Sequence, residues 1–187
     1  MGAVILRTER LLLRPFASTD FDAMLVMHSD TDVVRYLYWE PRTADDVREI
    51  LERKSGFTSL GGPGDNLAFA VVLESTGELV GDCGLQWHDN DYRQGEVGFI
   101  VHPDHQGRGY ATEAARAVLR VAFEEVRLHR VVGRTEARNT ASARVLERLG
   151  MRREAHLIEN EYVKGEWQSE LVYALLDREW RNGANSG

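Results

Sequence analysis

The 187-residue sequence predicts a single mixed α/β domain with a central, mostly antiparallel twisted sheet flanked by helices. Three observations carry that prediction. An early segment with helical periodicity is followed by three β-like runs separated by short turns. The third run leads through a glycine-rich turn into a long amphipathic helix and a further strand, which makes one strand–helix–strand unit. A last pair of β-rich runs closes the chain.

In order, "VILRTERLLLRPF" reads as strand ending at Pro15, and "ASTDFDAMLVMHSD" supplies cap residues ahead of Phe21, Met24, Leu25 and His28 at helical spacing. A second helix begins at a capping box, Thr43 with Asp46, and presents Val47, Ile50 and Leu51 before Gly56. "GGPGD", at 61–65, is too short to divide domains. "NLAFAVVLE", "ELVGDCGLQWH" and "YRQGEVGFIVH" are strands of an antiparallel meander, turning at Ser75-Thr76-Gly77 and at "DNDYRQG". Ala111, Ala115, Val118, Leu119, Ala122, Phe123 and Val126 mark one face of a helix of about four turns. "RVVGRTE" follows as strand, Ala141 to Leu149 as a helix stopped by Gly150, and "MRREAHLIENEYV" with "EWQSELVYALL" as a closing hairpin. The domain is expected to span 1–180, with 181–187 a frayed tail.

Composition narrows function without naming it. A net charge of -7 argues against a nucleic-acid binder held by a broad basic surface and suits an amine substrate better. The single cysteine, Cys83, excludes an internal disulfide framework and fits a reducing compartment. The opening apolar run stops at Arg7, too soon for a signal peptide or a membrane span, so a cytoplasmic protein is expected. Met1-Gly2 opens like a myristoylation signal, but Leu6 stands where that signal needs Ser or Thr.

"HPDHQGRGYATEA", residues 102–114, carries the most chemistry. Gly107 and Gly109 let the backbone adopt unusual dihedrals and approach a ligand closely, and the free N–H groups of the following helix turn cradle anionic oxygens. Arg108 adds a guanidinium matched to phosphate. A ligand-free turn closing a strand–helix joint explains the same stretch. A Walker loop is excluded, since Lys54-Ser55 has arginine at both glycine positions; a dinucleotide fingerprint fails at Thr112 and at the antiparallel setting of the preceding strand.

Gln106-Gly107-Arg108-Gly109-Tyr110-Ala111 matches the acetyl-coenzyme A loop Gln/Arg-x-x-Gly-x-Gly/Ala, and "NTASARVLERLGM", 139–151, resembles the Asn-x-x-Ser helix found with it. Together they resemble the GNAT N-acetyltransferases. With "LRTERLLLRPF" and the closing "NEYVKGEWQSELVYALLDREW", the details are most similar to the RimJ/RimL-type branch, named for ribosomal-protein N-terminal acetylation. The resemblance implies a GNAT fold with coenzyme A at the splay between the fourth and fifth strands, and acetyl transfer from acetyl-coenzyme A to a primary amine in a ternary complex. A peptide or protein α-amine is the expected acceptor, with an amino acid, polyamine or antibiotic as alternatives. A noncatalytic acyl-coenzyme A module and a dinucleotide oxidoreductase are the rival readings.

The resemblance also assigns residues. Gln106 to Ala111, Asn139 and Ser142 would contact the cofactor, with the backbone of Phe99, Ile100 and Val101 at pantetheine and thioester. Glu96 is the candidate base, with Glu161 and Glu136 as alternatives. Leu146 stands where many relatives keep an acidic tyrosine, so Ser142 becomes the candidate acid. Tyr36, Trp39, Trp87, Glu161 and Trp167, with Asp82, are expected to wall an acceptor cleft as a cage for an ammonium group. His102 and His105 read as non-ligands, so no metal is expected; nor is a nucleic-acid or membrane partner, and a homodimer is left open. Cys83 reads as packing, and "DNDYRQGEVGFI" as a hairpin turn rather than a calcium loop.

Overall fold

The computed structural model describes residues 3–88 and 92–184. The Met1-Gly2 signal, the Asp89-Asn90-Asp91 part of the hairpin turn, and 185–187 of the expected tail lie outside the described residues.

The opening strand of the prediction is two short strands, β1 (Leu6–Arg7) and β2 (Leu11–Arg14), which pair antiparallel. Helices α1 (Phe21–Ser29), α2 (Thr31–Val34) and α3 (Ala44–Ser55) follow. The one-turn α2 lacks enough residues for a periodic signal, but Asp30 caps it by accepting from the Asp32 and Val33 N–H groups. The capping box at α3 forms as the spacing predicts, with the Thr43 N–H donating to Asp46 Oδ2 at 2.8 Å. Strands β3 (Asn66–Leu73), β4 (Leu79–Trp87) and β5 (Gln94–Val101) form the antiparallel meander.

Helix α4 (Tyr110–Arg120), extended by a π turn over Val121–Glu125, crosses to β6 (Arg130–Glu136), which lies parallel to β5. Helix α5 (Thr140–Arg148), the hairpin β7 (Arg152–Val163) and β8 (Glu166–Leu176), and α6 (Asp177–Ala184) complete the chain. Helix α6 therefore takes in 181–184, part of the stretch expected to fray, and Arg181 pairs with Asp177 one turn back.

The sheet has eight strands in the order β1-β2-β3-β4-β5-β6-β8-β7. Both faces are covered, which is why β3 is a nearly continuous apolar run rather than an alternating one. On one face Leu67, Phe69 and Val71 pack with Ala114, Ala115, Val118 and Leu119 of α4. On the other, Ala68, Ala70 and Val72 pack with Met24 and Met27 of α1 and Val47, Ile50 and Leu51 of α3.

The parallel junction positions the site. Strands β5 and β6 are paired only from Gln94↔Arg130 to Glu96↔Val132; beyond that they part, leaving 97–101 of β5 and 133–136 of β6 without one another. Because the opening strand is two strands, the splay expected between the fourth and fifth strands lies between β5 and β6. Helix α5 packs beneath the gap. A Cβ on Gly133 would meet Leu146 Cδ2 at 2.5 Å, so the absence of a side chain there lets Leu146 seat against β6.

Candidate active site

Two cavities meet at the splay. The first, about 440 Å³, runs from the open end of β5 along the N-terminus of α4 to α5. Its wall includes Phe99, Ile100, Val101, Gln106, Gly107, Gly109, Tyr110, Ala111, Asn139 and Ser142, and so gathers ten of the eleven residues expected at the cofactor. Gly107 and Gly109 have φ of 75° and 83°, in the left-handed region that favours glycine. The first α-helical bond of α4 is Glu113 N–H to Gly109 O at 3.1 Å, so the N–H groups of Tyr110, Ala111 and Thr112 precede the ladder and remain available. Thr112 Oγ1, also in this wall, is buried with no hydrogen-bond partner. Gly-turn backbone, free helical N–H groups, an orphaned hydroxyl and the unpaired edge of β5 fit a diphosphate joined to an amide-rich pantetheine arm.

Arg108 is the exception. Its guanidinium donates to the Asp104 carbonyl at 3.0 Å and lies outside the cavity wall, so it closes its own turn and does not face the cradle. A residue not anticipated from the sequence, Arg10 in the bend just before β2, holds the turn from behind. Its Nη1 donates to Arg108 O at 3.1 Å, its Nε to Glu113 Oε2 at 2.7 Å, and its guanidinium lies 4.7 Å from the Tyr110 ring centre. Gln106 also turns inward to the protein, donating to Val101 O at 3.4 Å.

The second cavity, about 360 Å³, lies on the opposite side of the splay, under the segment joining α2 to α3. Tyr36, Leu37, Phe99, Ile100, Asn139 and Ser142 line both cavities and so form the boundary between them. Asn139 is at the same time the N-cap of α5, accepting from Ser142 N–H at 3.1 Å. Capping and ligand contact are therefore compatible roles here.

Glu96 lines the second cavity where β5 and β6 begin to part. Burial pushes its carboxyl above the usual range, against the opposing pull of Arg134 and His88. Arg134 Nε lies 3.3 Å from Glu96 Oε2, and His88 Nε2 3.8 Å from the same oxygen. Arg134 also donates to Glu170 Oε1 at 2.8 Å, and the other oxygen of Glu170 accepts from the Tyr38 hydroxyl at 2.8 Å. Burial and the bond to Glu170 raise Tyr38, so its hydroxyl keeps its proton. Arg134, Tyr38 and Glu170 carried no motif; what joins them is tertiary, with α2–α3, β6 and β8 meeting at one point. Of the alternative bases, Glu136 lines the cavity but is held by Arg138, which donates from its backbone N–H at 2.7 Å and from Nε at 2.8 Å. Glu161 lies outside both walls.

The ammonium cage expected from the sequence does not form. Tyr36 and Trp39 line the second cavity, but the Trp39 ring already carries the Arg42 guanidinium 4.2 Å from its centre and stacks on His28 at 5.9 Å. His28, buried and pulled down to about 4 by that burial, is neutral there, and its Nδ1 accepts from Arg42 Nη1 at 2.9 Å. Trp87 packs against the core under α4, on the far side of its strand. Trp167 is 60% exposed and makes an edge contact with Tyr162 at 5.4 Å, out on the β7–β8 hairpin. Asp82 does reach the cavity, paired to Lys54.

The remaining candidates resolve simply. Leu146 is buried core against Gly133. Cys83 is buried, and burial drives its thiol upward, so it is no nucleophile. His105 Nε2 lies 3.1 Å from Glu78 Oε1, just before β4, and His102 Nδ1 accepts from the Asp104 N–H at 3.3 Å within the turn.

Comparison with known proteins agrees with this geometry. The Bacillus subtilis (strain 168) protein named uncharacterized N-acetyltransferase YnaD is 32% identical over 174 residues, covering 92% of this chain and 97% of that one. A GNAT-family acetyltransferase structure from Bacillus anthracis superposes with a TM-score of 0.83 at 32% identity, over 94% of this chain and 100% of that chain. Vibrio cholerae spermidine N-acetyltransferase, solved with CoA and spermine, shares the fold at a TM-score of 0.79 and 22% identity, over 94% of this chain and 100% of that chain. Residues 10–152 match the Acetyltransferase (GNAT) domain, and with the splayed sheet and the loop at 106–111 this makes the chain a member of the GNAT family of N-acetyltransferases.

Proposed function

We propose that the protein transfers an acetyl group from acetyl-coenzyme A directly to a primary amine within a ternary complex, and that the amine is the α-amino terminus of a peptide or protein. The observation that carries this reading is the shared wall: two cavities are separated only by six residues, room for a donor and an acceptor at once. With its thiol buried, Cys83 offers no covalent relay.

When bound, acetyl-coenzyme A supplies an activated thioester. The turn at Gly107–Gly109 and the first turn of α4 would hold its diphosphate, and the open edge of β5 at Phe99 to Val101 would offer backbone donors to its carbonyl. Glu96 takes the proton that the ammonium must lose before its nitrogen attacks; the carbon–nitrogen bond forms, the carbon–sulfur bond breaks, and Ser142, in the wall both cavities share, gives its proton to the thiolate and recovers one from the nitrogen, which sheds its second proton as the amide forms. A carboxyl raised by burial is the better base for this task.

The charge of the acceptor cavity favours a single ammonium over a polyamine. Its acids are Asp82, Glu96 and Glu136; Lys54 answers Asp82, Arg138 answers Glu136, and Arg134 is shared between Glu96 and Glu170. A polycation would find no row of free carboxylates in that wall. An α-amine ordinarily loses its proton near pH ~8 and a lysine near ~10, so the α-amine also needs less of its base. The RimJ/RimL-type resemblance points the same way. The test is thiol release with short peptides bearing free N-termini, the same peptides N-terminally blocked with lysines intact, and spermidine. Activity confined to the first set supports the reading; equal rates on blocked peptides, or activity on spermidine alone, overturns the peptide assignment.

A further inference from the structure

Glu170 lines neither cavity, yet it lies directly behind the acceptor wall. It is 4% exposed on β8, opposite Glu136 of β6, in the row that faces the α1–α3 side of the sheet. Its two oxygens are divided between two groups that do line the acceptor cavity. Oε1 accepts from Arg134 Nη1 at 2.8 Å, and Arg134 Nε reaches Glu96 at 3.3 Å; Oε2 accepts from the Tyr38 hydroxyl at 2.8 Å. Tyr38 belongs to the segment after α2 that supplies Tyr36 and Leu37 to the boundary between the cavities. The end of α2, just ahead of that segment, is tied to the β7–β8 hairpin as well, by Lys164 Nζ donating to Val34 O at 2.5 Å.

We propose that Glu170 is a positioning residue for acetyl transfer: one buried carboxylate on β8 holds Arg134 against Glu96 and anchors Tyr38 over the acceptor, coupling the base to the cavity wall. This rests on Glu96 being the base. Charge–charge contacts supply the coupling. An arginine shared with a second carboxylate is a weaker partner for the first, and a second anion nearby adds repulsion, so Glu170 keeps Glu96 basic beside a cation that would otherwise hold it ionised and inert. The groups facing Glu96 are Arg134 from β6, His88 from the end of β4, Glu170 from β8, and Tyr38 from the α2–α3 segment. Those facing Glu170 are Arg134, Tyr38, Glu96 and, across the β6 register, Glu136, which Arg138 occupies.

Carboxyl NMR titration of Glu96, run beside the pH profile of kcat/KM, tests the coupling in the wild type, Glu170→Gln and Arg134→Gln. In Glu170→Gln the Glu96 midpoint is expected to fall by about half a pH unit or more, and in Arg134→Gln to rise, since one variant removes an anion and the other a cation. The acid limb of kcat/KM should follow each midpoint. Tyr38→Phe should leave the midpoint in place and raise the acceptor KM several-fold, about 1 kcal/mol of lost hydrogen bond. Should Glu170→Gln not fold, Arg134→Gln and Tyr38→Phe, at partly exposed positions, still decide the matter. An unmoved Glu96 midpoint overturns the coupling alone; a midpoint that moves while the acid limb stays put overturns Glu96 as the base, and the inference with it.

Discussion

Across the splay, the cofactor cavity is shaped mainly by backbone, through Gly107 and Gly109 at positive φ, the free N–H groups opening α4 and the unpaired edge of β5. The acceptor cavity is shaped by side chains drawn from the α2–α3 segment, α3, β4, β5 and β6, with Glu170 of β8 behind them. A cradle of main-chain donors makes the same contacts whatever the neighbouring side chains, so one cofactor suits many acceptors. A wall of paired charges is specific, and each substitution in it leaves a partner stranded. Binding of cofactor and choice of acceptor should therefore fail separately.

The largest expected effect breaks the backbone half. Gly109→Glu forces a side chain onto φ 83°, with its Cβ 3.5 Å from the Arg10 Nη2 that braces the turn, and so distorts the backbone cradle and adds a negative charge beside it; a penalty of about 3 kcal/mol is roughly a hundredfold in affinity for acetyl-coenzyme A. Isothermal titration should show that loss, and a folded variant with unchanged affinity would contradict the cradle. Next is the side-chain half. Lys54→Met leaves Asp82, 5% exposed, without its cation, and because Lys54 itself is partly exposed should cost about 1.5–3 kcal/mol of stability in denaturant unfolding. The double variant Lys54→Met with Asp82→Leu should recover most of it; a single variant as stable as wild type would mean the pair is solvated. Asn139→Ala, which removes the cap of α5 between the cavities, should cost about 1 kcal/mol. The smallest effect is Trp167→Ala, whose ring is 60% exposed on the far hairpin: the acceptor KM should stay within about twofold, and a larger rise would return that ring to the acceptor site.

The same contrast explains what could be read from the residues in order. Turn geometry and helix starts are local, so Gly107, Gly109 and the Thr43–Asp46 capping box were visible as short patterns, as were β3 and β6 as apolar runs and α5 as a helix stopped by Gly150. Helix α2 was missed because one turn has no period. The aromatic cage failed because aromatic residues near a cleft in sequence give no direction: Trp87 turned to the core, Trp167 outward, and Trp39 to Arg42 and His28. Residue type gave no direction for Arg108 either, whose long side chain donates to the nearby Asp104 carbonyl. Glu170, Arg134, Tyr38 and Arg10 meet partners 36 to 132 positions away, a distance no motif spans.

One measurement bears most directly on the division between the halves: acetyl-coenzyme A affinity and turnover on a free N-terminal peptide, compared for wild type and Glu96→Gln. General-base assistance is worth about a hundredfold or more, so kcat should fall by about that factor near neutral pH and recover toward alkaline pH, where the amine sheds its proton unaided. The cofactor Kd should stay within about twofold, because Glu96 lies in the acceptor wall and outside the cofactor wall. An equal loss in both quantities, or turnover with an unchanged pH profile, would contradict the account.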